Sequence, residues 1–140
     1  MIKRFVLAVL AIFVAWSVLD FLIHGLILQS TYEATAQLWR PMDEMKVGLM
    51  YLVTVVVAAT FTAIYALLVA PKSVSSGVKY GLLFGVATGF PMAFGTYSVM
   101  PVHLYLSVVW LLGALVEMTV GGVIIGAIIT VKPGATSNTL

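Results

Sequence analysis

Apolar residues come in four long runs along this chain, and polar residues collect in the gaps between them. The runs cover about Phe5 to Leu28, Val47 to Ala70, Val78 to Met100 and Leu104 to Val131. Each reaches the roughly 20 residues that a helix needs to cross the hydrocarbon core of a bilayer. None keeps a period-2 alternation, which argues against a transmembrane β-barrel. The pattern predicts an all-α integral membrane protein: one transmembrane domain over 1–140, built as a four-helix up-down bundle. The short connections favour antiparallel neighbours. Lys3 and Arg4 before an apolar run look like the start of a signal peptide. The run outlasts a typical signal core, however, and no small-x-small cleavage site follows, so an uncleaved first helix is expected. The tail, 132–140, is small and polar and is expected to be flexible.

The gap between the first two runs has a pattern of its own. Ser30 and Glu33 form an S-x-x-E capping box, a helix start signal. Pro41 is a stop. Tyr32, Ala36 and Trp39 recur on one helical face. The spacing predicts a short interfacial helix over about 31–40, with Tyr32 and Trp39 as anchors in the headgroup region. The alternative is a lid over the mouth of the bundle. Asp43 and Glu44 are expected at the start of the second long helix, where acids suit the positive end of the dipole.

Composition sharpens this reading. Hydrophobic residues make up 62% of the chain and charged residues 9%, against about 45–50% and 25% in soluble domains. No cysteine is present. That removes disulfides, thiolate nucleophiles and thiolate-bound metals from consideration. The net charge is +2 with no basic block, which gives no footprint for nucleic acid. Lys3, Arg4, Lys72, Lys79 and Lys132 fall on one side of the four runs, and Arg40 and Lys46 on the other. The positive-inside rule then predicts cytoplasmic N- and C-termini.

Small residues point to how the helices meet. Gly77, Gly81, Gly85 and Gly89 are four apart and make a glycine-zipper strip. Gly113, Gly121, Gly122 and Gly126 lie on related faces of the fourth helix. Helices three and four are expected to meet along these strips, because helices in lipid associate through close backbone approach. Pro91 is expected to kink helix three and free the Ala87 carbonyl, with Thr88 as a candidate to satisfy it.

Ionisable residues inside the spans carry most of the functional information. Asp20 and His24 are one turn apart on helix one, on a face continued by Trp16, Ser17 and Phe13. Glu117 lies near the middle of helix four. These three are the candidate intramembrane polar cluster. Three readings follow: a buried network that fixes helix register, a proton path, or a metal site of one histidine and two carboxylates. A di-metal bundle would want Glu-x-x-His pairs on two helices, which this chain lacks. Tyr51, Thr54, Ala58, Thr62 and Tyr65 form a packing stripe on helix two. Met42, Met45, Met100 and His103 offer thioether and imidazole groups of the kind copper takes. No P-loop, nucleophile-elbow or H-E-x-x-H motif occurs, so neither a catalytic residue nor a cofactor is assigned.

The layout resembles that of small uncharacterised four-helix bacterial inner-membrane proteins with a Tyr/Trp-bearing first loop, here Thr31-Tyr32-Glu33-Ala34-Thr35-Ala36-Gln37-Leu38-Trp39-Arg40-Pro41. The resemblance implies an inner-membrane location and no activity. The leading expectation is a non-enzymatic accessory or assembly subunit of a membrane complex, in contact with lipid and with other subunits or itself. The alternative is a small proton- or ion-coupled transporter or channel-like oligomer using Asp20, His24 and Glu117. A membrane-embedded metal-binding protein is the third reading.

Overall fold

The computed structural model describes residues 2–130, and among them every regular element is helical. Four helical stretches are long and apolar enough to cross a membrane: Ile2–Ile27, Val47–Leu68, Val74–Val99 and Leu104–Ile128. The first is α1 (Ile2–Asp20) continued by a π-helical turn, Phe21–Ile27. A short α2 (Gln29–Ala34) and two 3-10 turns, Ala36–Leu38 and Met42–Glu44, lead to α3 (Val47–Leu68). The third stretch joins α4 (Val74–Phe90), a π-helical turn at Pro91–Gly95 and α5 (Thr96–Val99). The fourth is α6 (Leu104–Ile128). Val131, Lys132 and the tail lie outside the described residues.

Several boundaries differ from the sequence expectation, for local reasons. The third stretch starts at Val74 because Ser73 caps it, accepting a hydrogen bond from the Ser76 N–H at 3.1 Å. Asp43 and Glu44 do not open α3. They sit in the 3-10 turn before it, and the first turn of α3 contains no acid. Pro91 lacks an N–H, and the backbone responds with the π turn that begins at that residue. Thr88 does not serve the Ala87 carbonyl; its hydroxyl donates to Phe84 O at 2.8 Å. The π turn in the first stretch contains Gly25 and no proline.

Glycine spacing determines how α4 meets α6. Residues four apart share a helix face, and Gly77, Gly81, Gly85 and Gly89 are all buried. A Cβ at Gly77 would strike the Gly122 carbonyl, and one at Gly81 the Met118 carbonyl. At Gly85 it would lie 3.2 Å from Ala114 O, and at Gly89 2.7 Å from Ala114 Cβ. The partners step backward along α6 as the glycines step forward along α4, so the two helices run antiparallel.

Gly113 and Gly121 do not join this contact, contrary to the expectation from sequence. Gly121 lies under the Trp16 ring, where a Cβ would be 2.9 Å from Cζ2, and Gly113 lies under Ile23. Adjacent residues on a helix point roughly 100° apart. Gly121 and Gly122 therefore serve different neighbours, α1 and α4. The order of these contacts makes α1 antiparallel to α6 as well, and Arg4 Nη1 donates to Thr130 O at 3.2 Å near the far end.

Helix α3 is held by one half only. Ala58, Phe61 and Tyr65 are fully buried against Ala8, Ile12 and Trp16. Tyr80 donates to Phe61 O at 2.9 Å. Tyr65 Oη donates to Ser73 O at 2.8 Å and accepts from Ser73 N–H at 3.0 Å, which fastens the α3–α4 loop. Within Val47–Val57, by contrast, every residue except Thr54 and Val57 is exposed. Tyr51 of the expected stripe is in that exposed half, edge-on to Phe13.

The glycine contacts yield a graded prediction. Overpacking a tight interface costs about 1–3 kcal/mol, and the added carbon meets a backbone carbonyl much more closely at Gly81 than at Gly85. Gly81→Ala should therefore lower the thermal unfolding midpoint in detergent clearly more than Gly85→Ala. Gly48→Ala, where nothing lies within 4 Å of the added carbon, should leave it unchanged or slightly raised. Equal midpoints for the three variants, followed by circular dichroism, would show that the α4–α6 contact is not this close.

Candidate functional site

The polar side chains of the first and last spans converge near the end of the molecule that carries α2. Asp20 is the last residue of α1 proper, and His24 sits one turn on, within the π turn. Their side chains approach to 3.9 Å between Asp20 Oδ1 and His24 Nε2, longer than a hydrogen bond. Glu117 projects from the middle of α6, with its carboxyl near that of Asp20. The structure thus brings Asp20, His24 and Glu117 together. Trp16 fixes the register from one turn further in: its indole N–H donates to Glu117 O at 2.6 Å.

Beyond His24 the network continues into α2. His24 Nδ1 lies 2.7 Å from Tyr32 Oη, and the Trp110 indole N–H donates to the same oxygen at 2.8 Å. An indole can only donate, so the Tyr32 oxygen accepts from it and the phenolic proton is left for His24 Nδ1. A neutral His24 then carries its hydrogen on Nε2, turned toward Asp20. Trp39 completes the cluster. Its ring stands edge-on to Tyr32 and Trp110, and its N–H donates to Thr35 Oγ1 at 2.9 Å.

These contacts change the expectation for the first loop. Leu28, not Ser30, precedes the first turn of α2, and it makes no side-chain cap. Glu33 bonds instead to Gln29 Nε2 at 3.0 Å. The helix ends at Thr35, well before Pro41, and the Thr35 hydroxyl donates to Thr31 O at 2.7 Å. Tyr32 and Trp39 are half-buried against protein, packed with Leu28, Val102 and Leu106. Trp110 was not legible as a site residue. The available signal was a tryptophan inside a span, whose N–H needs an acceptor there.

Electrostatics at the site are unbalanced. Among the described residues, no lysine or arginine bonds to Asp20 or Glu117, and Glu117 Oε1 is buried without a hydrogen-bond partner, as are Ser17 Oγ and Ser107 Oγ. A charge in mid-bilayer costs roughly 2.5–3.5 kcal/mol. Yet the Asp20 and His24 side chains are 45% and 40% exposed within a span. Phe21, beside His24 on the helix, is exposed as well. Outside the spans, burial pushes the Tyr32 phenol above its ordinary range. The Trp110 N–H opposes this, and Asp20 adds to it.

Among the described residues no group of three or more His, Asp or Glu side chains is disposed to hold a metal ion. Asp20, His24 and Glu117 are neighbours without forming a three-ligand set. His103 lies apart from them, on an open depression of about 470 Å³ lined also by Ser30, Thr31, Ala34, Leu104 and Tyr105. No family model, curated protein or solved structure matches this chain.

Tyr32 should be the keystone of this end of the molecule. Tyr32→Phe leaves the Trp110 N–H and His24 Nδ1 without their shared partner, a loss of about 1–3 kcal/mol. The unfolding midpoint in detergent should fall accordingly, while Tyr105→Phe, at an exposed residue, should not move it. Because the folded state holds the phenolic proton more tightly than the unfolded chain, this contribution is full below about pH 10 and declines as pH rises further. Ultraviolet titration of phenolate absorbance should show one fewer late-ionising tyrosine in Tyr32→Phe than in the parent protein. An unchanged titration in that variant would contradict the buried placement.

Proposed function

We propose that the protein is a non-enzymatic accessory or assembly subunit of a larger membrane complex, in the inner membrane of a bacterium, with cytoplasmic termini. The observation that carries this reading is the bare N-terminal half of α3. A membrane helix normally finds small-residue contacts and dispersion partners on at least one face. Here the turns from Val47 to Val56 are exposed around their circumference, apart from Thr54. A neighbouring subunit supplies the missing contacts. In this reading the four spans form an up-down bundle, and α2 lies at the membrane surface as a lid over the polar cluster.

A second reading rests on a different observation. The hydrogen-bonded run Trp110–Tyr32–His24 leads from the α2 end to the two carboxyls. That is the arrangement a proton-coupled carrier needs at one end of its path. Toward the Arg4 end the run meets the packed cluster of Trp16, Ile12, Phe61 and Tyr65, which offers no continuation. The subunit reading is favoured for that reason.

Two measurements test the proposal. A photocrosslinking residue at Val53 should capture a discrete protein partner in the native membrane, while one at buried Ala58 should not; crosslinks only to lipid would count against a subunit role. For the topology, a cysteine at Gln37 should react with an impermeant reagent from outside the cell, and one at Ser75 should not. The reverse labelling would overturn the orientation. If Glu117→Gln folds normally, keeps its partner and still fails to support growth, the proton-coupled reading replaces the first.

A further inference from the structure

The polar face of the first span has an unmet requirement that narrows the kind of neighbour it takes. We infer that the Asp20–His24 face docks a partner's transmembrane helix that brings a lysine or arginine to the depth of Asp20. This rests on the subunit reading and deepens it.

The argument begins with what covers the first span. Helix α3 packs on it through Ala8, Ile12, Phe13 and Trp16. Helix α6 takes Trp16 and Ile23. Asp20 and His24 lie past the α3 contacts, and their side chains stay 45% and 40% exposed. Phe21, three residues before His24 and so beside it on the helix, is exposed as well. Such a surface is apolar enough to accept a helix and polar at one level only.

The charge at that level is one-sided. Two carboxyls face each other, and one oxygen of Glu117 is buried without a partner. Lipid chains cannot satisfy them. Asp20 is seven residues from the end of the span at Ile27, roughly 10 Å in from that end by helical rise. Among the described residues no lysine or arginine bonds to either carboxyl, and His24 Nε2 stays 3.9 Å from Asp20. Lys3 and Arg4 belong to the opposite end of the first span, while Arg40 and Lys46 lie outside the spans altogether.

A second copy of the chain does not meet the requirement. Copies in one membrane with the same orientation are related by an axis along its normal, so equal residues meet at equal depth. Pairing this face with itself would bring four carboxyls together. A guanidinium or ammonium on a different helix answers them, the long stem lying along Phe21.

The probe is a 21-residue leucine/alanine helix with one arginine placed six to eight residues from the end that inserts beside α2, compared with the same helix bearing leucine there. Association with the purified full-length protein is followed by fluorescence energy transfer in phosphatidylcholine vesicles. The arginine helix should associate at least tenfold more tightly. The preference should vanish in Asp20→Asn/Glu117→Gln, which keeps side-chain shape and hydrogen bonding, and persist in His103→Ala. Equal association of the two helices, a preference that survives the double variant, or self-association of the protein through a cysteine at Phe21 would each overturn the inference. Capture of a partner from native membranes without any arginine preference would sink this inference alone. An arginine preference with no partner in the native membrane would sink the subunit reading instead.

Discussion

The backbone contact of α4 on α6, at Gly77 on Gly122 and Gly81 on Met118, decides where the polar side chains lie. Two helices in lipid have little hydrophobic drive to associate, so dispersion between closely approaching backbones must hold them. Once α4 occupies the Gly122 face, α6 presents the adjacent face, with Gly113, Glu117 and Gly121, to the first span. Trp16 then fills the space over Gly121 and donates to the Glu117 carbonyl. That bond sets the register of α1 on α6 and aligns Asp20 with Glu117. A side chain added on either glycine face would therefore act on the carboxyl pair through helix position, with no direct contact.

Much of this was legible in the chain. The four spans follow from run length and hydropathy, and the strip on α4 follows from its four-residue spacing. The Asp20–His24 pair follows from its one-turn separation. The split of the α6 glycines between two neighbours did not follow, because spacing within one helix says which residues share a face and not which helix lies on it. The meeting of Asp20 with Glu117 depended on an offset between two helices 97 residues apart in sequence, by their numbers. The contact of Trp16 on Gly121 sets that offset.

The first loop shows a competition between local and tertiary signals. Ser30 and Glu33 carry the pattern of a capping box, yet the helix starts at Gln29 and the two side chains do not cap it. Tyr32 explains the outcome. Its hydroxyl satisfies both the Trp110 N–H and His24 Nδ1, which outweighs one capping bond of about 1 kcal/mol. At the end of the helix the Thr35 hydroxyl bonds back to Thr31 O, and its oxygen also receives the Trp39 N–H. Tyr32 and Trp39, the expected headgroup anchors, also contact Trp110.

The two π turns occur in the parts of the spans that flank this polar end. A π turn widens the helix and shifts the side chains that follow it by roughly one position. In the first span the turn spans His24, which places the imidazole within reach of both Asp20 and Tyr32. In the third span it starts at Pro91 and sets Ala93 into the cluster with Ile23 and Trp110. A regular α-helix through Phe21–Ile27 would present a different set of side chains to α6 and α2. The irregular backbone is thus a geometric condition for the His24–Tyr32 bond.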